Sequence, residues 1–480
     1  MSEVAHRGGT EVLGHPFALT NLVSIETWER FSFYGMQSLL TIYLYTSVSE
    51  GGLGYPTSSA LSITGAYVGA VYFSTIIGAW LADRLLGYEK VLFGSAVVVM
   101  VGHAGLAVLP GRAGLLVGCV CVALGAGGVK ATSSAIVGEL YAEDDPRKDA
   151  GFSIFYAGIT VGAVVGPIAV GWLQSTKGFH YGFGAAAVGM ALGLAYYVAM
   201  RRRMPTSGPR NPLPPSGRAR AATVSAATVV VVVVVALTGL VDGGNLSTVL
   251  TVLGALAAAG YFAMMLTSKR VSRTERSRVI AFIPIWFACA AAFALAANTI
   301  LVVYADVLAQ RRVGDFTMPT PWVKSALPLA EVVLSIAFAA LWSRNRLTIP
   351  SAVKAPIGFA AIALALFSFL PFVGMAPGTV PLLSLLPYVV GAGLGIFLLY
   401  PMGLSTATTL APAAFSAQMV AVLYLAVSVG SALGGTLGAS FFSVNNRGPF
   451  FTVMGCVALA LALAYTALIP GLRARTGERA

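Results

Sequence analysis

The sequence predicts an all-α membrane protein, and three observations predict it. Of 480 residues, 57% are hydrophobic and only 10% are charged, against about 25% charged in soluble domains. The apolar residues come in long runs, each near the roughly 20 residues that a helix needs to cross the hydrocarbon. Those runs are evenly apolar rather than alternating. Lipid forbids unpaired backbone, so they are helices and not barrel strands.

Fourteen runs read as spans: residues 17–46, 58–83, 91–110, 113–138, 150–173, 181–200, 221–241, 246–267, 279–307, 321–343, 353–375, 379–409, 414–443 and 449–470. Residues 1–16 are polar and short, and the first run continues into a full span, so no cleavable signal peptide is expected.

The net charge of +12 does not point to nucleic acid. With the amino terminus placed in the cytoplasm, 22 Lys and Arg fall inside and 5 outside (Arg112, Lys177, Arg311, Arg312 and Arg447). This asymmetry orients the chain with both termini inside and agrees with an even number of spans. Arg30, Lys130 and Lys324 remain within spans.

Residues 201–220 break the apolar rhythm. They are basic and rich in Pro, Gly and Ser, as a cytoplasmic linker is. A second basic patch covers 269–278. The two spans between these patches carry no central charge and read as lipid-facing packing helices. The expected organisation is a cytoplasmic segment 1–16, a six-helix bundle 17–200, a linker with two additional helices 201–278, a second six-helix bundle 279–470 and a tail 471–480. Two six-helix halves around a central path is the arrangement of the major facilitator superfamily, whose sites lie at the midplane.

The second span ends in GAWLADRLLGYEK, 78–90, which resembles the signature loop of that superfamily. Gly78, Asp83, Arg84, Gly87 and Lys90 are expected to latch one conformational state, with Asp83 capping a neighbouring helix end. Glycines at small-x-x-x-small spacing, such as Gly158, Gly162 and Gly166, predict close helix approach.

The first span carries the most informative residues. Glu26, Glu29, Arg30, Phe33, Tyr34 and Gln37 share one helical face. Each ionised group at the membrane centre costs about 2.5–3.5 kcal/mol on insertion scales. These groups must therefore face partners or a polar cavity. One reading is a buried ion-pair staple; the other is a functional site. Lys130, within GAGGVKATSS of the fourth span, is the natural partner. Glu26, Glu29, Arg30 and Lys130 together are neutral, which lowers the desolvation cost. One added proton unbalances the set and biases one helix packing against another.

Residues 26–45, ETWERFSFYGMQSLLTIYLY, resemble the first-span signature of the proton-dependent oligopeptide transporter family. FSIFYAGITVG, 152–162, is similar to its fifth-span signature. LYPMGLSTATTLAP, 399–412, resembles its tenth-span segment, and GGVK, 127–130, matches its fourth-span lysine. The resemblance implies proton-driven import of di- and tripeptides, with Glu26, Glu29, Arg30 and Lys130 coupling protons. It also implies that Tyr34 and Tyr72 hydrogen-bond substrate. Gln37, Lys130, Thr160, Asn298 and Lys324 complete the expected substrate set.

Several family positions differ. Gln37 stands where the family usually has arginine, Phe33 where it has a phenol, and Thr160 and Leu327 where it has asparagine. Ala296 and Ala297 replace an acidic pair, and Ile396 replaces a glutamate. A zwitterionic peptide wants a cation and an anion. Each missing charge-assisted hydrogen bond is worth about 1.5–3 kcal/mol. Lys324 and Glu331, seven residues apart and on one face of the eighth span, are a possible replacement. Glu331 is the expected second-half acid. The alternative for Lys324 is a side chain snorkelling outward.

Other readings stay open: a carrier or proton-coupled exporter of a non-peptide amphiphilic compound, or a non-transporting membrane sensor or scaffold. An enzyme is not expected. Cys119, Cys121, Cys289 and Cys456 lie in apolar runs and read as small core residues. The four histidines show no metal spacing. No cofactor, metal or nucleotide site is expected, and the partners are a small peptide-like substrate, protons and the bilayer, with a monomeric chain.

Overall fold

The computed structural model describes residues 11–12, 14–142, 145, 147–205, 208–209, 212–214, 242–296, 298–343 and 350–476. The predicted span at 221–241 lies outside the described residues. The fold is all-α. Its helices are α1 (Phe17–Tyr45), α2 (Thr57–Leu81), α3 (Tyr88–Val108), α4 (Gly111–Glu139), α5 (Lys148–Lys177), α6 (Phe179–Met200) and α7 (Leu246–Thr267). There follow α8 (Arg273–Leu295), α9 (Asn298–Val307), α10 (Val323–Ser343), α11 (Ser351–Phe367), α12 (Leu386–Leu410), α13 (Ser416–Phe441) and α14 (Gly448–Thr476).

Twelve segments among the described residues are long and apolar enough to cross a membrane. They make this a multi-pass membrane protein. α1 has 29 residues, ample length, yet is not one of the twelve. Its charged and hydroxyl-bearing face is the reason: apolarity there gives way to chemistry. The strands are two-residue ladders. Glu11–Val12 pairs with His15–Pro16, Ala309–Gln310 with Val380–Pro381, and Arg312–Val313 with Phe316–Thr317.

The chain divides into two compact units. The first holds the residues up to Leu39 together with 74–240. Its α1 segment is positioned by the predicted glycine stripe of α5. A Cβ on Gly162 would meet the Thr27 carbonyl oxygen and lie 2.9 Å from the Arg30 Cβ; one on Gly158 would lie 2.6 Å from the Thr27 hydroxyl. Only hydrogen at these positions lets the two backbones touch. α2 and α4 meet in the same way, with the Ser74 hydroxyl donating to the Ala123 carbonyl at 2.6 Å where Gly127 leaves room. α2 ends in a π-helical turn, Ala82–Leu86. Gly87, at φ +85°, closes it by donating to the Ala82 carbonyl, a left-handed conformation that favours glycine.

The second unit holds Leu40–Phe73 and 241–480. α8 opens on a capping box: the Ser272 hydroxyl accepts from the Glu275 N–H at 3.2 Å, and the Glu275 carboxylate accepts from the Ser272 N–H at 2.8 Å. Its helix stops at Leu295, and α9 restarts at Asn298, so the predicted 279–307 span is two helices. The Trp286 indole donates to the Val422 carbonyl at 2.7 Å, anchoring α8 on α13. Tyr304, Phe369 and Phe451 form an aromatic core, with Phe369 4.4 and 4.5 Å from the other two ring centroids.

α7 is more than a lipid-facing helix. Leu253 and Leu256 are exposed, but Ser247, Gly254 and Ala258 are buried. The Ser247 hydroxyl lies 2.9 Å from those of both Ser62 and Thr436. One face is a polar seat on α2 and α13; the composition of the helix hid it because three hydroxyls in separate elements satisfy one another.

Candidate functional site

The charged face of α1 is buried. Glu29 is fully buried, Glu26 is 2% exposed and Arg30 5% exposed. Arg30 spends its fork on Glu26: Nη2 donates to Oε1 at 2.6 Å and Nε to the same oxygen at 3.0 Å. The i, i+4 spacing brings the pair together on one helix wall. Arg30 Nε also lies 3.2 Å from Glu29 Oε2, but without hydrogen-bond alignment. Both Glu29 carboxylate oxygens, and Glu26 Oε2, lack a hydrogen-bond donor among the described residues. The two acids are therefore unequal. Glu26 is clamped; Glu29 sits beside a guanidinium that faces its neighbour.

Lys130 turns toward this face rather than outward. Its Nζ lies 4.7 Å from the centroid of the Phe33 ring, one helical turn from Glu29. Arg30 approaches the same ring at 5.9 Å. A benzene face attracts both cations through its quadrupole and accepts no conventional hydrogen bond. Phe33 packs edge-on against Tyr34 at 5.2 Å, and Gln37 is buried two turns past Arg30. Glu26, Glu29, Arg30, Phe33, Tyr34 and Lys130 thus form one continuous cluster in the first unit, with Gln37 buried further along the same helix. Thr160 is partly buried, and its hydroxyl donates to the Tyr156 carbonyl of its own helix at 3.1 Å.

In the second unit Lys324 is 3% exposed, so it does not snorkel outward. Among the described residues no ion pair or hydrogen bond reaches its amine. Glu331 shares its face of α10. Leu329, Val333 and Ile336 on another face are more than half exposed, which turns Lys324 and Glu331 away from the lipid side. Pro328 lies between them inside the helix. Tyr72 is partly buried in α2. Asn298 opens α9, and its side chain lies outside the described residues. Among the described residues no three His, Cys, Asp or Glu converge as metal ligands.

Residues 89–453 match the PTR2 family, described as the POT family. The chain belongs to the POT family. It is 35% identical over 456 residues to the uncharacterized transporter YclF of Bacillus subtilis (strain 168), covering 93% of this chain and 92% of that protein. It is 33% identical to the di-/tripeptide transporter of Lactococcus lactis subsp. cremoris, with 94% of each chain covered. Among solved structures it superposes on the peptide transporter POT in complex with sulfate, at a TM-score of 0.92, 36% identity and 97% coverage of both chains. The same transporter in a mutant form, in complex with alafosfalin, gives 0.91 and 37%, again with 97% of each chain covered. The fold is therefore that of the POT transporters, a major facilitator arrangement.

In this POT-family protein the signature loop between α2 and α3 is partly exposed. Asp83 lies 4.0 Å from Arg84, with side chains 31% and 41% exposed. The Arg84 carbonyl accepts from the Leu213 N–H at 3.1 Å, and Gly78 meets Gly128 where α2 crosses α4. Lys90 is exposed.

Sequence reading missed the strongest ion pair nearby. Glu89, buried at the start of α3, accepts from Arg201 Nε at 2.6 Å and from the Tyr197 hydroxyl at 3.2 Å. Arg201 also stacks 4.0 Å over Phe93. The signal was an acid directly beside the motif and a cation at the foot of the sixth span, both of which read as ordinary end charges. A second missed set ties the amino-terminal hairpin to the α4–α5 loop: Arg147 pairs with Glu11 at 3.0 Å, and His15 Nδ1 meets the Tyr141 hydroxyl at 2.8 Å. Side-chain and then backbone hydrogen bonds from Arg147 hold the Asp145 carboxyl below its ordinary value.

Proposed function

We propose that this protein is a proton-coupled symporter of di- and tripeptides or peptide-like compounds, working by alternating access in the cell membrane as a monomer with both termini cytoplasmic. One observation carries the reading: Glu29 is fully buried beside an arginine committed to Glu26. A desolvated carboxylate with no hydrogen-bond donor among the described residues, only a misaligned guanidinium 3.2 Å away, is the natural proton acceptor of the set. Protonation of Glu29 leaves Arg30 with Glu26 and gives the set of Glu26, Glu29, Arg30 and Lys130 one net positive charge, which favours an anionic substrate group. Glu331 is the acid of the second unit. Gly78, Asp83, Arg84, Gly87 and Lys90 form the conformational latch.

Substrate recognition is assigned to Tyr34, Gln37, Tyr72, Lys130, Thr160, Asn298 and Lys324. Lys324 supports this most strongly, because a buried cation with no ion pair or hydrogen bond among the described residues is one that a substrate carboxylate can satisfy. It supplies the charge absent at Gln37. Relatives named di-/tripeptide transporters and the alafosfalin complex favour peptides and peptide mimics over unrelated amphiphiles.

Proteoliposomes test the proposal. An inward proton gradient should drive uptake of labelled Ala-Ala, with matched internal alkalinity lost. Gradient-driven efflux, or no flux of any peptide in a small panel, sinks it and favours the exporter or scaffold reading.

A further inference from the structure

A groove of about 630 Å³ runs along the side of the first unit. Trp28 and Phe31 of α1, with His180, Gly184, Val188 and Leu192 of α6, line most of it. We infer that it is a binding site for one acyl chain of an anionic glycerophospholipid, whose headgroup sits at the α5–α6 junction.

Three observations identify the occupant. Apart from Trp28 and Phe31 of the long helix α1, every lining residue comes from a helix long and apolar enough to cross a membrane: Ala107 from α3, Leu173 from α5 and the rest from α6. Lipid is therefore the medium that reaches it. From His180 to Leu192 the groove follows α6 for about 18 Å at 1.5 Å per residue. One leaflet of the hydrocarbon is about 15 Å deep, so the length suits a single chain lying in one leaflet.

The polarity is also that of an amphiphile. The lining is apolar except at one end, where His180 and Tyr181 stand. Lys177 closes α5 three residues before His180, is exposed, and has no ion pair or hydrogen bond among the described residues. His180 Nδ1 is engaged with the Leu106 carbonyl at 3.2 Å, which leaves Nε2 as the second polar atom of the ring. A cation and an imidazole at the mouth of an apolar channel match a phosphate above a hydrocarbon tail, because both can donate charge-assisted hydrogen bonds to phosphate oxygens.

The groove also touches the proposed machinery from behind. A Cβ on Gly189 would lie 2.6 Å from the Phe31 ring, and one on Gly193 would lie 2.6 Å from the Trp28 Cβ. The same turn of α1 presents Glu29 and Arg30 on another face. A chain in the groove therefore buttresses the segment that carries the buried acids.

Gly184 supplies the test, because a Cβ there meets nothing within 4 Å. Gly184→Leu fills the channel without moving backbone. The protein with Trp28 as its single tryptophan is reconstituted in mixed bilayers that contain chain-brominated phosphatidylglycerol or phosphatidylcholine. At equal mole fraction the phosphatidylglycerol should quench Trp28 at least threefold more strongly. Lys177→Gln should equalise the two lipids, and Gly184→Leu should remove most of the quenching by either. Native mass spectrometry of the otherwise unaltered chain should show retained phosphatidylglycerol that Gly184→Leu loses. Equal quenching by both lipids in the unsubstituted groove means ordinary surrounding lipid only and overturns the inference. Quenching and lipid retention that survive Gly184→Leu overturn it as well.

Discussion

Glu26 and Glu29 differ by one helical turn and by everything that decides a proton's choice. Glu26 holds two hydrogen bonds from Arg30; Glu29 holds none among the described residues. Removing the titratable oxygen at Glu29 should therefore uncouple transport and spare binding. Glu29→Gln is expected to lose at least tenfold of gradient-driven uptake while peptide exchange at equal pH continues; parallel loss of both would show a structural role instead. Lys324→Ala should weaken peptides with a free carboxylate more than tenfold, corresponding to about 1.5–3 kcal/mol for one charge-assisted hydrogen bond. Amidated peptides should bind equally to both forms, as binding isotherms on purified protein would report. The α1 face was legible in the sequence, because i, i+3, i+4 spacing and the desolvation cost of charge are local facts. The inward turn of Lys324 was not. A lysine near a span end reads equally as snorkelling until its neighbours are placed.

At the scale of elements, glycine decides where α1 stands. The stripe Gly158, Gly162 and Gly166 lies against Thr27 to Phe31, so α5 sets the depth of the buried arginine. Gly162→Val forces a side chain into the Thr27 carbonyl and should destabilise by about 1–3 kcal/mol or more, as overpacking does. Gly184→Ala, with open space at its Cβ, should leave the unfolding temperature within a degree of the parent. A thermal unfolding series in detergent compares the two. The spacing of the stripe was visible in the sequence; its partner was not. The α8–α9 break was invisible too, since FALAANT carries no charge, glycine or proline to warn that the helix stops at Leu295. Glu89 and Arg201 escaped for a different reason: their 2.6 Å contact joins span ends 112 residues apart.

For the whole molecule, the placement of 22 Lys and Arg against 5 predicts both termini in the cytoplasm. Carboxy-terminal fusions should fluoresce as a cytoplasmic reporter and stay inactive as a periplasmic phosphatase; the reverse pattern would invert the topology. Polytopic all-α architecture was legible from length and apolarity, and the family from motifs in the first, fourth and fifth spans. The grouping of Leu40–Phe73 with the second unit was not, because it depends on contacts such as Gly65 with Gly435.

By itself the sequence determined the solvent, the helices and the charged wall of α1. Each follows from the period of one helix and from the cost of placing charge or bare backbone in hydrocarbon. Only the tertiary structure decided which acid Arg30 clamps, that Lys130 faces Phe33, that Lys324 turns inward and that a chain-length groove opens behind Trp28. Those outcomes depend on how closely separate helices approach and at what rotation. They are set by side chains distant along the chain, which local periodicity does not encode.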